Sequence, residues 1–449
     1  MTEFDRSRRQ PPSIWLVVHG FPPAEFTGTP LIAHGYATEL VRRGWHVVVV
    51  EPSPDGMGRC RARDATDGVA GRDGRGLLRR RFLRREPPGG GLWSLEAAAR
   101  RDPMVVAEVR RALLEDRPDL VHVVDNVDLP LVVPEVAGEL GIPVVRTVAC
   151  AEDLCALIAP VSPRSDSSGF CRAPLRPERC LGCLEATVPL RGRGEADWAM
   201  RLLRAKRARA AWQFWNVYDR ILFPSQGFRA YFERSLPLPK ARVRVVPMGF
   251  DHRPFDCLRR RSAEPARKPL TFLFLATGHP AKGVGTVVEA FLAPAVAERE
   301  DWRLVTAGGG ERNLLGPLRH DRRVTDIGPY DIGALPELLK RADIGISASV
   351  FETFHRVTRE YLLGGLPVLA AKTFGIMDVV RNGLNGLWFS PNEPGELTRA
   401  IVEVLEDPAL VERLRAGAEQ TEIRSLEDEV EELISIYAEV VDASGLARA

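Results

Sequence analysis

Two consecutive doubly wound α/β domains are what this sequence predicts, on three observations. Short apolar runs alternate with amphipathic stretches through residues 13–252, and the alternation restarts at 270 and continues to 425. Between the two runs, residues 253–269 are basic, proline-containing and aperiodic, as a linker is. At 449 residues the chain is also too long for one ordinary core.

The elements follow in order. Ile14–Val18 is a short apolar strand followed by the turn-rich H-G-F-P-P-A-E-F-T-G-T. Leu31–Arg43 has helical spacing, and Gly44 turns the chain into the strand His46–Val50. Residues 53–91 are rich in Gly, Arg, Asp and Pro and read as a long mobile surface insertion. A helix over Val105–Glu115, a strand at Leu120–Val124, a helix near Leu131–Leu140 and a strand at Pro143–Val148 come next. Residues 150–195 are irregular and cysteine-bearing. The helix Trp198–Tyr218 and the strands Arg220–Phe223 and Val243–Val246 close the first run. In the second run, strands at Leu270–Ala276, Arg303–Ala307, Val324–Ile327, Ile344–Ser347, Pro367–Ala370 and Leu387–Phe389 alternate with helices. Residues 426–449 form a closing helix.

Composition excludes several classes. The net charge of +2 argues against a dedicated nucleic-acid binder. No apolar run is long enough for a transmembrane helix, and the start, M-T-E-F-D-R-S-R-R-Q-P-P, has no apolar core of a signal peptide, so a cytoplasmic location is expected. Only six of the 62 basic residues are lysine, a usage typical of a GC-rich bacterial genome, which makes each lysine more informative.

The chemistry concentrates in Ser347–Val368, S-A-S-V-F-E-T-F-H-R-V-T-R-E-Y-L-L-G-G-L-P-V. Glu352 falls in the loop at the carboxyl end of a strand, and Glu360 lies one to two turns into the next helix. Free backbone N–H groups at that helix start favour an anion. A carboxylate beside a phosphate site and another about a ribose away suit a nucleotide-sugar donor.

The spacing of these two glutamates, with Phe354 between them and G-G-L-P-V-L after them, resembles the donor-site signature of the retaining GT-B glycosyltransferases of the family 4 type. Val243–Asp251 resembles the segment that closes that family's first domain. Gly278–Gly283, G-H-P-A-K-G, resembles its glycine- and lysine-bearing loop in shortened form, and Gly308-Gly309-Gly310 its glycine turn. The resemblance implies two Rossmann-like domains facing across a cleft, an acceptor side at 13–252, a nucleotide-sugar side at 270–425, and a terminal helix that crosses back to the first domain.

It also implies roles. Glu360 accepts hydrogen bonds from the ribose. Lys282, between Gly278 and Gly283, meets the diphosphate and stabilises the leaving charge. Glu352 orients the donor sugar, with the backbone around Phe354, His355, Arg356, Val357 and Thr358 lining the donor. The family's arginine after the first glycine is missing, so His279 or Arg356 is the remaining source of a second positive group. Gly28 and Thr29 stand where the family has a Gly-Gly turn near phosphate and acceptor. The family's His-Asp after the strand at Val144–Val148 reads Ala149-Cys150 here, which leaves Glu152, Asp153 or His122 as acceptor-side substitutes. No DxD metal motif sits in a suitable loop, so no cofactor is expected for transfer.

Five cysteines fall between 150 and 183. Cys155, Cys171, Cys180 and Cys183 in a core-poor segment suit a structural Zn²⁺; unligated thiols and an iron–sulfur cluster are alternatives the sequence leaves open. The run Leu77–Arg85 is of the kind that touches an anionic membrane or polyanionic acceptor, although such runs are usually solvated loops, so at most peripheral contact with the inner face of a membrane is expected. The expected activity is transfer of a sugar from a nucleoside diphosphate to a hydroxyl acceptor. A non-catalytic scaffold, and an epimerase or phosphorylase of the same fold, are the rivals.

Overall fold

A computed structural model describes residues 11–25, 28–53, 61–63, 76–83, 101–126, 131–155, 170–171, 176–187, 190, 192–258, 268–309 and 312–446. The chain divides into two compact units. Unit 1 comprises residues 1–163, 172–249 and 425–449, and unit 2 comprises 164–171 and 250–424.

Unit 1 is built on eight strands: β1 (Ser13–Val17), β2 (His46–Pro52), β3 (Arg61–Arg63), β4 (Leu77–Leu83), β5 (Leu120–Val123), β6 (Val144–Thr147), β7 (Arg220–Phe223) and β8 (Val243–Val245). Their order in the sheet is β3-β4-β2-β1-β5-β6-β7-β8. All neighbours are parallel except β3 and β4. Strands such as Ile14–Val17 and Val47–Val50 are fully apolar because helices cover both faces of a parallel sheet. The helices are α1 (Gly28–Arg42), α2 (Pro103–Asp116), α3 (Val132–Glu139), α4 (Pro177–Thr187), α5 (Gly192–Asn216), α6 (Gln226–Ser235) and, from the far end of the chain, α14 (Leu426–Leu446).

The closing helix α14 is fixed to α1. Tyr36 donates to Glu429, whose other oxygen accepts the Gly249 N–H at 2.6 Å. A Cβ on Gly249 would lie 2.0 Å from the Ser425 carbonyl oxygen, so only glycine permits this approach.

Unit 2 carries six parallel strands in the order β11-β10-β9-β12-β13-β14. They are β9 (Leu270–Leu275), β10 (Trp302–Ala307), β11 (Val324–Asp326), β12 (Ile344–Ser347), β13 (Val368–Ala371) and β14 (Gly386–Phe389). The helices are α7 (Val284–Leu292), α8 (Pro294–Ala297), α9 (Leu335–Lys340), α10 (Arg356–Leu363), α11 (Phe374–Met377), α12 (Pro394–Glu406) and α13 (Pro408–Glu419). Its core joins Phe272, Phe291, Trp302, Ile346, Leu369 and Val411.

Three expectations are corrected here. Leu77–Leu83 is not part of a mobile insertion but a sheet strand, parallel to β2. Two of its three arginines turn inward to carboxylates, Arg80 to Glu51 at 2.8 Å and Arg81 to Asp116 at 2.6 Å, while Arg79 is exposed. Arg84 and Arg85 lie outside the described residues. The segment 150–195 is not uniformly irregular, because α4 packs Leu184 on Leu202 and Leu203 of α5. The stretch read as a linker at 253–269 belongs at its start to unit 2, with Phe255 and Leu258 buried; residues 259–267 lie outside the described residues.

Candidate functional site

In an open parallel sheet the ligand crevice opens at the carboxyl edge where strand order reverses. In unit 2 that point lies between β9 and β12, since the chain leaves β9 toward β10 and leaves β12 toward β13. The loop after β9 carries Gly278, His279, Lys282 and Gly283, and the loop after β12 carries Glu352.

Backbone geometry locks the two loops together. Val350 donates its N–H to Ala281 O at 2.8 Å. Gly283 has φ +70°, and a Cβ there would stand 2.0 Å from Ala348 O, so this lysine loop needs its glycine. Gly283 caps α7 without any side-chain hydrogen bond, which leaves the first N–H groups of that helix available to an anion. The Gly278 N–H binds Gly309 O at 2.8 Å, and Gly308 (φ +146°) presses against Ala276 O. These turns shape a pocket lined by Ala276, Gly278, Val284, Ala307, Gly308 and Gly328. Gly310 lies outside the described residues.

The Lys282 ammonium donates to Glu352 Oε1 at 2.7 Å. Burial pushes the Glu352 carboxyl up, but Lys282, His355 and hydrogen bonds from Lys282 and Ser349 outweigh it and hold it below its ordinary value. Glu352 is therefore a carboxylate at neutral pH. His355, buried at φ +61°, accepts the Thr358 N–H through Nδ1, and that nitrogen also bonds the Thr358 hydroxyl. Its Nε2 lies 3.6 Å from Glu352. Burial, the largest effect, lowers its pKa to about 4, so it faces Glu352 as a neutral ring.

Glu360 is buried on α10 and touches Arg356 at 3.4 Å. Burial raises its pKa and Arg356 only partly offsets the rise, so hydroxyl donors would stabilise its charge. Of the two sources of a second positive group, His279 is exposed, and burial followed by repulsion from Lys282 lowers its pKa, so it is neutral near pH 7. The Arg356 guanidinium stacks 4.6 Å from the Phe250 ring centroid. Thr358 is buried against Ser347, and Val357 is half-buried. The Phe354 side chain is core, stacked on Phe250.

Sequence reading missed Arg359. Buried on α10, its guanidinium donates to the carbonyls of Phe354, His355 (3.3 Å) and Gly375 (3.0 Å) and so pins the Glu352 loop. Burial lowers its pKa to about 9. A Cβ on Gly375 would overlap the Phe354 backbone at 2.3 Å, so Gly375 closes the same support.

In unit 1 the reversal lies between β1 and β5. There His19 Nδ1 bonds Asp125 Oδ2 at 2.7 Å, and the His19 N–H donates to Asp125 Oδ1 at 3.1 Å. Burial disfavours the imidazolium, but Asp125, then Glu25 and Glu152, raise its pKa to about 8. Beside Asp125, the Asn126 amide is buried. This dyad was also missed, since 106 residues separate its members. Gly28 is exposed as the first residue of α1, where a Cβ would meet open space, and Thr29 is half-buried; Phe26 and Thr27 lie outside the described residues.

The dyad yields a titration prediction. His19 is raised above its ordinary 6.5, so its ion pair stabilises the fold fully below about pH 6.5 and is lost as pH rises through about 8. An NMR titration is expected to place the His19 midpoint near 8. Asp125→Asn should drop it below 6.5 and cost about 1–2 kcal/mol at pH 6. An unshifted midpoint in that variant would show that Asp125 does not hold the imidazolium.

The other acceptor-side candidates have partners within the protein. His122 lies inside β5, fully buried between Tyr437 O–H (2.7 Å) and Thr147 O–H (2.8 Å). Burial, then Arg146, lowers its pKa to about 3, so it is a packed neutral histidine. Glu152 and Asp153 both accept from the buried Arg146 guanidinium, Asp153 at 2.9 Å. Cys155, Cys171, Cys180 and Cys183 are all half-buried. Among the described residues no group of three or more His, Cys, Asp or Glu is gathered to hold a metal ion.

Comparison with known proteins agrees with this architecture. Residues 269–407 match the family described as glycosyl transferases group 1, and residues 27–249 match the glycosyl transferase 4-like domain. A D-inositol 3-phosphate glycosyltransferase of Acidothermus cellulolyticus is 32% identical over 218 residues, 44% of this chain and 48% of that protein. An uncharacterized glycosyltransferase of Methanocaldococcus jannaschii is 26% identical over 222 residues, 46% of this chain and 56% of that protein. The chain thus spans about half the length of the curated relatives it matches. Among solved structures, sucrose-phosphate synthase from Thermosynechococcus elongatus superposes with a TM-score of 0.67 at 18% identity, covering 96% of this chain and all of that one. Anabaena HepE in complex with UDP-glucose gives a TM-score of 0.56 at 18% identity, covering 94% and 99%. With both matched regions in order and two parallel sheets of the GT-B fold, the chain belongs to the group 1, family 4-like glycosyltransferases.

Proposed function

We propose that the protein transfers a sugar from a nucleoside diphosphate to a hydroxyl acceptor with retention at the anomeric carbon. The observation that carries this reading is the Lys282–Glu352 pair at 2.7 Å, set between the uncapped start of α7 and the start of α10, with Glu360 on the same α10. In this reading the diphosphate sits on the α7 N–H groups and Lys282, the ribose hydroxyls donate to Glu360, and the sugar hydroxyls donate to Glu352. The bond from anomeric carbon to phosphate oxygen breaks as Lys282 and Arg356 neutralise the departing charge. The acceptor oxygen then forms the new bond on the same face, and its proton passes to the leaving phosphate. The acceptor is assigned to the β1–β5 edge of unit 1, where His19 and Asn126 offer polar contacts in place of the histidine missing at Ala149. The UDP and UDP-glucose complexes of HepE support a nucleotide-sugar donor.

Thermal-shift titration with nucleoside diphosphates and their sugars tests the donor half. One nucleotide series is expected to stabilise the protein, and Glu360→Ala should weaken its binding by roughly 10–10³-fold, the loss of one or two hydrogen bonds to a charged group. Equal shifts in wild type and variant would place the ribose elsewhere. NMR of the product anomer tests retention. Binding without turnover of any acceptor pool would favour a non-catalytic sugar-nucleotide binder. Zinc on the cysteines is a separate proposal, and purified protein without zinc or iron would retire it.

A further inference from the structure

The helix α5 presents a surface that the transfer reading does not use. From Trp198 to Asn216 it reads W-A-M-R-L-L-R-A-K-R-A-R-A-A-W-Q-F-W-N, with five basic residues and no carboxylate. Its inward face buries Leu202, Leu203, Ala210, Gln213 and Phe214. Lys206 turns to Cys155 O at 3.1 Å and Arg209 to Glu135 at 2.8 Å, and Arg204 stays exposed with Glu178 of α4 3.7 Å away. The outward stripe runs through Arg201, Arg204, Arg207, Trp212 and Trp215, all exposed. Trp212 and Trp215 leave 48% and 50% of their surface open, which for two indoles one turn apart is a large apolar area. Neither hangs on a loose loop: the Trp215 indole N–H donates to Pro237 O at 3.0 Å, and the Arg242 guanidinium binds the Trp215 carbonyl at 3.1 Å.

We propose that this stripe seats unit 1 on an anionic lipid bilayer. Arginines spread along one helix face meet lipid phosphates, while indoles on the same face enter the headgroup boundary, where an amphipathic ring is most stable. From Arg201 to Trp215 the stripe is about 20 Å long, so the helix lies in the plane of the surface and does not cross it. Among the described residues no helix is long and apolar enough to span a bilayer. A second copy of the chain is the poorer occupant. From Trp198 to Asn216 the helix itself holds five cations and no carboxylate, and the nearby acids Asp197 and Glu178 lie only at its N-terminal end, so two such faces would repel.

The test uses the full chain and vesicles of phosphatidylcholine alone or mixed equally with phosphatidylglycerol. Co-sedimentation is expected only with the mixed vesicles, with quenching of tryptophan emission by brominated lipid. The Arg201→Gln/Arg204→Gln/Arg207→Gln variant should partition about a hundredfold less, roughly fivefold per arginine. Trp212→Ala/Trp215→Ala should bind at least about tenfold less and lose most of the quenching. The arginine side chains are exposed, so that variant should keep the wild-type melting temperature, whereas the tryptophan variant loses the Trp215–Pro237 hydrogen bond and is compared at a temperature where it is folded. Should a variant unfold, the wild-type preference for the mixed vesicles and its lipid quenching still decide the matter. Equal binding to both vesicle types, no binding, or undiminished binding by the folded variants overturns the proposal. So does a dimer in sedimentation velocity, or an RNA gel shift, that these substitutions abolish while vesicle binding is absent. No sugar nucleotide enters the assay, so its outcome is independent of the donor reading.

Discussion

Alanine at Lys282 is expected to lower turnover of a nucleoside-diphosphate sugar by roughly 10²–10³-fold, the usual effect of removing one preorganised charge from a leaving group. The ammonium is the nearest cation to the uncapped start of α7 along the chain and holds Glu352 at 2.7 Å. Arginine should restore little, because a planar fork does not fit a loop whose glycine already stands against the Ala348 carbonyl. A pH measurement separates chemistry from folding. Glu352 is depressed below 4.5, so its pairing stabilises the fold above that pH and is lost as pH falls through the depressed value. Lys282→Ala should therefore flatten the acid limb of the stability curve as well as slow turnover. Steady-state rates with saturating donor give the first readout, and chemical denaturation from pH 3 to 7 the second. Wild-type turnover in a folded Lys282→Ala protein would remove the lysine from the reaction.

Replacing Arg146 by methionine is expected to destabilise unit 1 by about 3–5 kcal/mol, the cost of leaving a buried ionic partner uncompensated. The guanidinium is fully buried beside two acids. Burial works against charge on Glu152, yet Arg146 and the hydrogen bonds around it hold its pKa below the ordinary value. Asp153 is raised, by burial and then by its charged neighbour Glu152, and Arg146 only partly offsets this. Adding Glu152→Gln and Asp153→Asn to Arg146→Met should recover most of the loss, because a neutral cluster needs no counter-ion. Urea denaturation measures all the variants. A stable Arg146→Met protein would mean that the two acids are free for the acceptor after all.

These two residues mark how far the sequence could be read. The donor loops were legible because their chemistry is local: Gly278–Gly283 follows one strand, Glu352 follows another, and Glu360 lies eight residues further on a helix. The closing helix was legible by its period. Contacts that bridge distant segments were not. His19 and Asp125 meet only because β1 and β5 are neighbours, and nothing in H-G-F-P-P announces the pairing. His122 looked available because its burial depends on Tyr437 of α14, 315 residues away. Leu77–Leu83 read as a loop since arginines break its alternation, and only the facing acids Glu51 and Asp116 make burying them tolerable. Arg359 gave no signal beyond helical spacing, because its partners are backbone carbonyls and carry no side-chain identity.

The most direct measurement is a crystal structure of the full chain with the best-shifting nucleoside-diphosphate sugar, UDP-glucose being the first to try. The diphosphate oxygens are expected about 2.7–3.1 Å from Lys282 Nζ and the first N–H groups of α7, with the ribose hydroxyls on Glu360 and the sugar against Glu352. A donor bound away from the β9–β12 edge, or with its ribose and diphosphate out of reach of Glu360 and Lys282, would contradict the proposed chemistry.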